Sequence, residues 1–264
     1  MDSPRNPRLL AARALHAARG RRAAGAFLAE GPHAVESAVA AGFAIREAFV
    51  TEDAVSRSTP LLRNLAKLDV AVHTVTERAI RSIAETVTPQ GIVAVVAAPS
   101  DRQLPDVPRL VAVLERCGDP GNAGTVIRTS DAVGADAVVL GRGSVDVWSG
   151  KCVRASAGSV FNIPVVSDLT AADAIGVLRA RGCQILATAA DGETDLDDLA
   201  TGSGLATPTV WVFGSEAHGL APEIGDLVDA VVRVPIRGRA ESLNLSAAAA
   251  ICLYSSARVQ GLSP

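Results

Sequence analysis

The chain has 264 residues, 48% hydrophobic and 3% aromatic, with a formal charge of −3 at pH 7. That length and apolar content support one large domain or two ordinary ones with aliphatic cores, and the cleanest apolar runs, 92–98 and 247–254, are too short to span a bilayer. Four dispersed cysteines and four dispersed histidines argue against a disulfide framework and against a metal site.

The N-terminus carries arginines without the apolar core of a secretory signal, so a soluble cytoplasmic protein is expected. Residues 1–25 hold Arg5, Arg8, Arg13, Arg19, Arg21 and Arg22 against Asp2. Residues 1–100 sum to +3 from 12 basic and 9 acidic groups, and residues 101–264 to −6 from 13 basic and 19 acidic. Local charge governs contact with a polyanion, so the arm is a candidate polyanion contact. A solvated helix face is the bland alternative. The patterning predicts a helix over 7–19, a strand at 27–28, a helix over 32–41, a strand over 45–51 and a helix over 60–67. A strand over 70–75, a helix over 77–84 and a strand over 92–97 follow. This alternation favours an α/β/α sandwich.

Pro99, Pro105 and Pro108, with polar neighbours, suggest a stiff linker. The predicted division is 1–99, a linker at 100–106, and 107–264. Downstream, strands are expected at 110–114, 137–140, 163–166, 184–187, 209–213 and 230–234, with helices over 125–133, 151–157, 171–181, 222–227 and 242–258. Strands apolar along their length imply a parallel sheet buried on both faces. The acidic segment 191–198 reads as an exposed loop.

Three loops after strands carry the chemistry. The first, Asp119-Pro120-Gly121-Asn122-Ala123-Gly124-Thr125-Val126-Ile127-Arg128, reads as a glycine-studded turn entering a helix, with Arg128 in the first turn or so. A cation there opposes the macrodipole, which makes it a functional candidate. The second, Gly214-Ser215-Glu216-Ala217-His218-Gly219, follows an apolar strand; Glu216 stands at its crest as a hydrogen-bond acceptor or merely as a solvated side chain. The third, 234–246, joins a strand to an alanine-rich helix, which Ser242 or Asn244 could cap. Strand-end loops in open α/β sheets converge on ligands. Gly141-Arg142-Gly143 lacks the third glycine of a dinucleotide fingerprint, which weighs against a small-molecule nucleotide enzyme.

In order and spacing, the three segments together resemble the SpoU (TrmH-like) branch of the SPOUT RNA methyltransferases: Asn122 to Arg128 with Thr129 and Gly134, Val212 to Glu216 with Gly219 and Leu220, and Pro235 to Asn244 with Ser246. The upstream half is similar, more loosely, to the family's L30e-like substrate-binding domain at 27–35 and 88–92. Leu245 stands where the family often has a smaller residue. The resemblance implies a SPOUT-type α/β fold with a knotted parallel sheet flanked by helices, a homodimer, and methyl transfer from S-adenosyl-L-methionine to a ribose 2′-hydroxyl. It implies a catalytic set of Asn122, Arg128, Glu216, Ser242 and Asn244, with Thr188, Gly214, Val234 and Leu243 at the cofactor. RNA contacts would come from Arg5, Arg8, Arg19, Arg21, Arg22 and Arg154. Arginine holds its proton too tightly to be a ready base, so Arg128 is read as a clamp on phosphate and developing alkoxide. Large-subunit ribosomal RNA is the expected partner; transfer RNA, or a non-catalytic ribosome-assembly role, are the alternatives.

Overall fold

The structure, a computed structural model, describes residues 6–100, 102–215, 217 and 219–262. Two compact units emerge: Met1–Asp101 with Trp148–Asn162, and Arg102–Val147 with Ile163–Pro264. The chain opens with α1 (Pro7–Ala14) and α2 (Ala18–Ala24), a division of the single helix expected over 7–19. The break leaves carbonyls without helical partners, and Arg21 Nη1 donates to Leu15 O at 2.8 Å and His16 O at 2.7 Å.

There follow β1 (Ala26–Glu30), α3 (Pro32–Ala40), β2 (Ile45–Thr51), α4 (Glu52–Arg57), α5 (Thr59–Lys67), β3 (Ala71–Val75), α6 (Glu77–Ile83) and β4 (Ile92–Ala97). These strands form one sheet in the order β1-β4-β2-β3. β4 runs antiparallel to β1 and β2, while β2 and β3 are parallel. β4 is apolar throughout because it sits inside the sheet, with all but its last residue buried.

The chain then crosses to the second unit for β5 (Leu110–Leu114), α7 (Pro120–Ala132) and β6 (Ala137–Leu140), and returns for α8 (Gly150–Ala155) and α9 (Ser159–Asn162). Aromatic contacts explain this return. Trp148 stacks on Phe27 with centroids 4.4 Å apart, and Phe161 meets Phe43 edge-on at 5.1 Å. Four of the eight aromatic residues thus gather in one cluster of the first unit. Each such pair contributes about 0.5–1.5 kcal/mol beyond its buried area.

The remaining elements complete the second unit: β7 (Val165–Val166), α10 (Ala171–Ala180), β8 (Gln184–Thr188), β9 (Thr194–Asp195), α11 (Leu196–Thr201), β10 (Thr209–Phe213), α12 (Pro222–Gly225), β11 (Ala230–Arg233) and α13 (Leu245–Gln260). Its seven-stranded sheet has the order β7-β6-β5-β10-β8-β11-β9. Every pairing in it is parallel. The segment 191–198, expected as a loop, instead supplies an edge strand and a helix start. Asp195 caps α11 through Asp197 N at 2.9 Å, and Leu196 is buried.

Helix α13 packs on α7, β5 and β10. The buried Trp211 of β10 anchors it, with Nε1 donating to Ser256 Oγ at 2.8 Å; truncating such a Trp costs about 3–5 kcal/mol. The proline segment is pinned to this unit: Leu104 is buried in its core, and Arg181 Nη1 donates to the carbonyls of Leu104 and Pro105 at 2.9 and 2.6 Å. All four cysteines are buried thiols, and burial pushes that of Cys252 up to about 12. Among the described residues, no helix is long and apolar enough to cross a membrane, and no group of His, Cys, Asp or Glu could hold a metal ion.

Candidate active site

Parallel strands deliver their exit loops to one edge of the sheet, and β10, β8 and β11 are neighbours. At their carboxyl ends lies a cleft of about 360 Å³, lined among others by Thr188, Gly214, Val234, Ser242, Leu243 and Asn244. The loop after β10 folds back tightly: Ser215 N donates to Gly219 O and Gly219 N to Ser215 O, both at 2.9 Å. A Cβ on Gly214 would lie 2.3 Å from Gly219 C and 2.5 Å from Leu220 N, so only glycine lets the two backbone passes touch. Below the loop, the buried Glu115 accepts Ala221 N at 3.2 Å through Oε2.

The opposite wall is fastened by Arg233, at the end of β11. Its Nη1 donates to Gly192 O at 3.1 Å and Glu193 O at 3.2 Å, and its Nη2 to Asp195 Oδ2 at 3.1 Å. Ala189 N donates to Val232 O at 3.1 Å, and Gly192 lies so close to β11 that a Cβ would meet Val232 C at 2.7 Å. These bonds hold the Thr188–Ala190 wall against the Val234–Ile236 wall, both of which line the cleft. Neither Glu115 nor Arg233 is visible as a site residue in the sequence, because their partners lie tens of residues away. Arg233 standing beside Val234 was the nearest hint.

Motif one begins earlier in α7 than the glycines suggest. Asp119 caps the helix by accepting Asn122 N at 2.9 Å, and Pro120 occupies its first turn. Gly121, Asn122 and Gly124 are therefore helical, and Arg128 is two turns in, not in the first turn. The helix dipole does not bear on Arg128, since that field fades beyond the first turn. Arg128 is exposed and makes no hydrogen bond or ion pair with any described residue.

Asn244, not Ser242, caps α13, its Oδ1 accepting Ser246 N at 2.9 Å and Ser246 Oγ at 2.6 Å. Its amide Nδ2 donates to Asn122 Oδ1 at 3.1 Å, joining the starts of α7 and α13 at the cleft. Ser242 is exposed on the cleft wall. Glu216 and Arg5 lie outside the described residues.

The structure thus brings together Asn122, Ser242 and Asn244 with Thr188, Gly214, Val234 and Leu243. In the first unit, Arg19 and Arg22 are exposed, and the exposed Arg8 pairs with Glu47 at 3.1 Å. Arg21 is 7% exposed, with its guanidinium on the α1–α2 break. That placement removes Arg21 from the arginines open to a polyanion. Arg154 pairs with Glu85 at 2.9 Å and Glu30 at 3.5 Å.

Residues 109–254 match the model of the SpoU rRNA Methylase family, and residues 6–94 that of an MRM3-like substrate binding domain. A Bacillus subtilis 23S rRNA (guanosine(2553)-2′-O)-methyltransferase, RlmP, is 33% identical, covering 96% of this chain and 97% of its own. The crystal structure of an AdoMet-bound rRNA methyltransferase from Sinorhizobium meliloti is similar with a TM-score of 0.87 at 32% identity, covering 98% and 97% of the two chains. The SpoU methyltransferase AviRb from Streptomyces viridochromogenes, in complex with AdoMet, gives 0.83 at 27% identity over 96% and 98%.

Proposed function

Because this chain belongs to the SpoU rRNA Methylase family, we propose that it transfers a methyl group from S-adenosylmethionine to a ribose 2′-hydroxyl of 23S ribosomal RNA in the cytoplasm. The observation that carries this reading is a single cleft walled by the second and third motif loops and tied to the first through the Asn244–Asn122 bond. Support for ribosomal RNA comes from the Bacillus relative, matched over nearly the whole of both chains.

The residues present fit the cofactor. The cleft volume suits a nucleotide-sized ligand. Gly214 offers bare backbone, Thr188 a hydroxyl, and Phe213, Val234 and Leu243 an apolar wall. S-adenosylmethionine, when bound, supplies a sulfonium methyl already activated for transfer. The protein's task is to orient one hydroxyl in line and manage the charge that develops on its oxygen. Ser242 and the Asn122–Asn244 pair position the ribose, and Arg128 meets the flanking phosphate and the developing alkoxide. Glu216, outside the described residues, is assigned to holding cofactor or loop geometry. The exposed Arg8, Arg19 and Arg22, with Arg5, hold RNA by charge, as an affinity that falls with salt would show.

The reading extends to a trefoil knot in the second unit and to a homodimer. Ala247, Ile251 and Tyr254 form an exposed stripe on α13, which packs beside α7. The small residues Ser246, Ala247, Ala248, Ala249 and Ala250 at the start of α13 permit close helix approach, and Arg128 would reach a partner's cleft. Light scattering of the protein and of Tyr254→Glu tests this; a wild-type monomer rules the dimer out. For the activity, radiolabelled S-adenosylmethionine with total RNA, followed by nucleotide mapping, should place a 2′-O-methyl group in 23S rRNA. Label in tRNA would replace the substrate, and no incorporation into ribosomes or RNA would favour a non-catalytic binding protein.

A further inference from the structure

The turn between β5 and α7 carries an exposed cation in a conformation that favours glycine. Arg116 has φ +50°, a left-handed backbone in which a Cβ is strained. Its neighbours Glu115 and Cys117 are buried, while its own side chain is 67% exposed. The turn is held rigidly against the loop after β6. Gly141 N and Ser144 Oγ donate to Leu114 O at 2.9 and 3.3 Å. Cys117 N donates to Ser144 Oγ, and Val145 N to Cys117 O, each at 3.0 Å. Gly143, at φ +95°, lies beside the arginine stem, with Arg116 Cγ in ordinary contact at 3.5 Å from where a Cβ would sit.

Packing does not explain this arginine, and neither does pairing. Its ion partner, Glu115, is 3.9 Å away, and that carboxylate's other oxygen already accepts Ala221 N. Strain kept without a structural return is a pointer to function. The position suits one. Arg116 lies three residues before the cap of α7, at the sheet edge that carries the cleft. Arg142, next to Gly143, is also exposed, its Nη2 donating to Asp168 O at 2.9 Å. Residues 101–264 carry a net −6, which repels a polyanion unless cations are presented at the entrance.

We infer that Arg116 is a phosphate contact for the RNA substrate, set on a rigid turn beside the first motif, with Arg142 flanking it. A guanidinium offers a phosphate two parallel donors, and a pinned backbone reduces the ordering cost of using them. The inference rests on RNA being the substrate.

Arg116→Gly tests it, because glycine relieves the strained backbone while deleting the cation. Binding to in-vitro-transcribed 23S rRNA, measured across salt concentrations, should weaken on the order of tenfold for a lost charged hydrogen-bond donor. The slope of log K against log salt should shrink by about 0.7–0.9. S-adenosylmethionine affinity should stay constant, and Tm should hold or rise. Arg116→Lys, which keeps the charge, should keep the salt slope. Wild-type RNA affinity and slope in Arg116→Gly would overturn the assignment, as would a fall in Tm of more than about 4 °C, which would make the residue structural. Wild-type protein that neither binds nor methylates this RNA would instead sink the substrate reading.

Discussion

Gly214→Ala probes the cleft most directly. The added methyl would sit 2.3 Å from Gly219 C, 2.4 Å from Gly219 O and 2.5 Å from Leu220 N, where ordinary contact begins at 3.4 Å. All three atoms are backbone, so no side chain can swing aside, and the loop must retreat by roughly 1 Å. A displacement of that size at a positioned reaction centre costs about 100-fold in rate. The retreat would also strain the paired Ser215–Gly219 hydrogen bonds, each contributing about 1 kcal/mol, for a Tm loss of about 4–8 °C. Gly219→Ala is the control: Gly219 has φ +67° but nothing within 4 Å of a Cβ, so it carries backbone strain of about 1–2 kcal/mol without a collision. Titration calorimetry with S-adenosylmethionine and single-turnover methyl transfer should show Gly214→Ala crippled in both and Gly219→Ala only mildly affected. Equal cofactor affinity for Gly214→Ala and wild type would refute the claim that the second loop closes the cofactor cleft.

Arg128→Lys should reduce turnover sharply while leaving cofactor affinity nearly intact, since a point charge cannot reproduce a planar fork; unchanged turnover would remove the clamp. Asn244→Asp separates capping from chemistry: a carboxylate still caps α13 but cannot donate to Asn122, so Tm should hold within about 2 °C as methyl transfer falls, and full activity would dismiss the bridge. Arg233→Met, which frees the 189–195 wall, should weaken S-adenosylmethionine about fivefold, on the order of 1 kcal/mol for a half-exposed guanidinium; calorimetry showing wild-type affinity would count against the fastening. Burial pushes the Asp229 carboxyl up, but the Ile185 amide and the Arg179 guanidinium, at 2.7 and 2.6 Å, outweigh it and hold it below the ordinary range. The stability this gives is present above pH about 4 and is lost as pH falls through the folded value. Asp229→Asn should therefore show a shallower acid loss of Tm than wild type, and parallel acid limbs would contradict this.

Much of the architecture was legible because local patterns carry it. Fully apolar runs such as 110–114 and 209–213 became central parallel strands, and the loops after β10 and β11 fell where the sequence put them. Misreadings arose where one local signal hid another. The glycines of 121–124 masked the Asp119-Pro120 helix start, and the acidic run at 191–198 masked the cap at Asp195. At the break between α1 and α2 the local signal is Gly20, since a Cβ there would collide with the backbone of Ala14; Arg21, reaching back to two carbonyls, accommodates the turn.

The sequence by itself determined where the long apolar strands run and which side-chain types stand in the loops after them, because periodicity and side-chain type are properties of short stretches. Only the tertiary structure decided that residues 148–162 join the first unit, that Asn244 reaches Asn122 across 122 positions, and that Arg233 fastens the far wall. Those outcomes depend on strand order and on aromatic and guanidinium contacts between distant segments, which chain proximity does not encode.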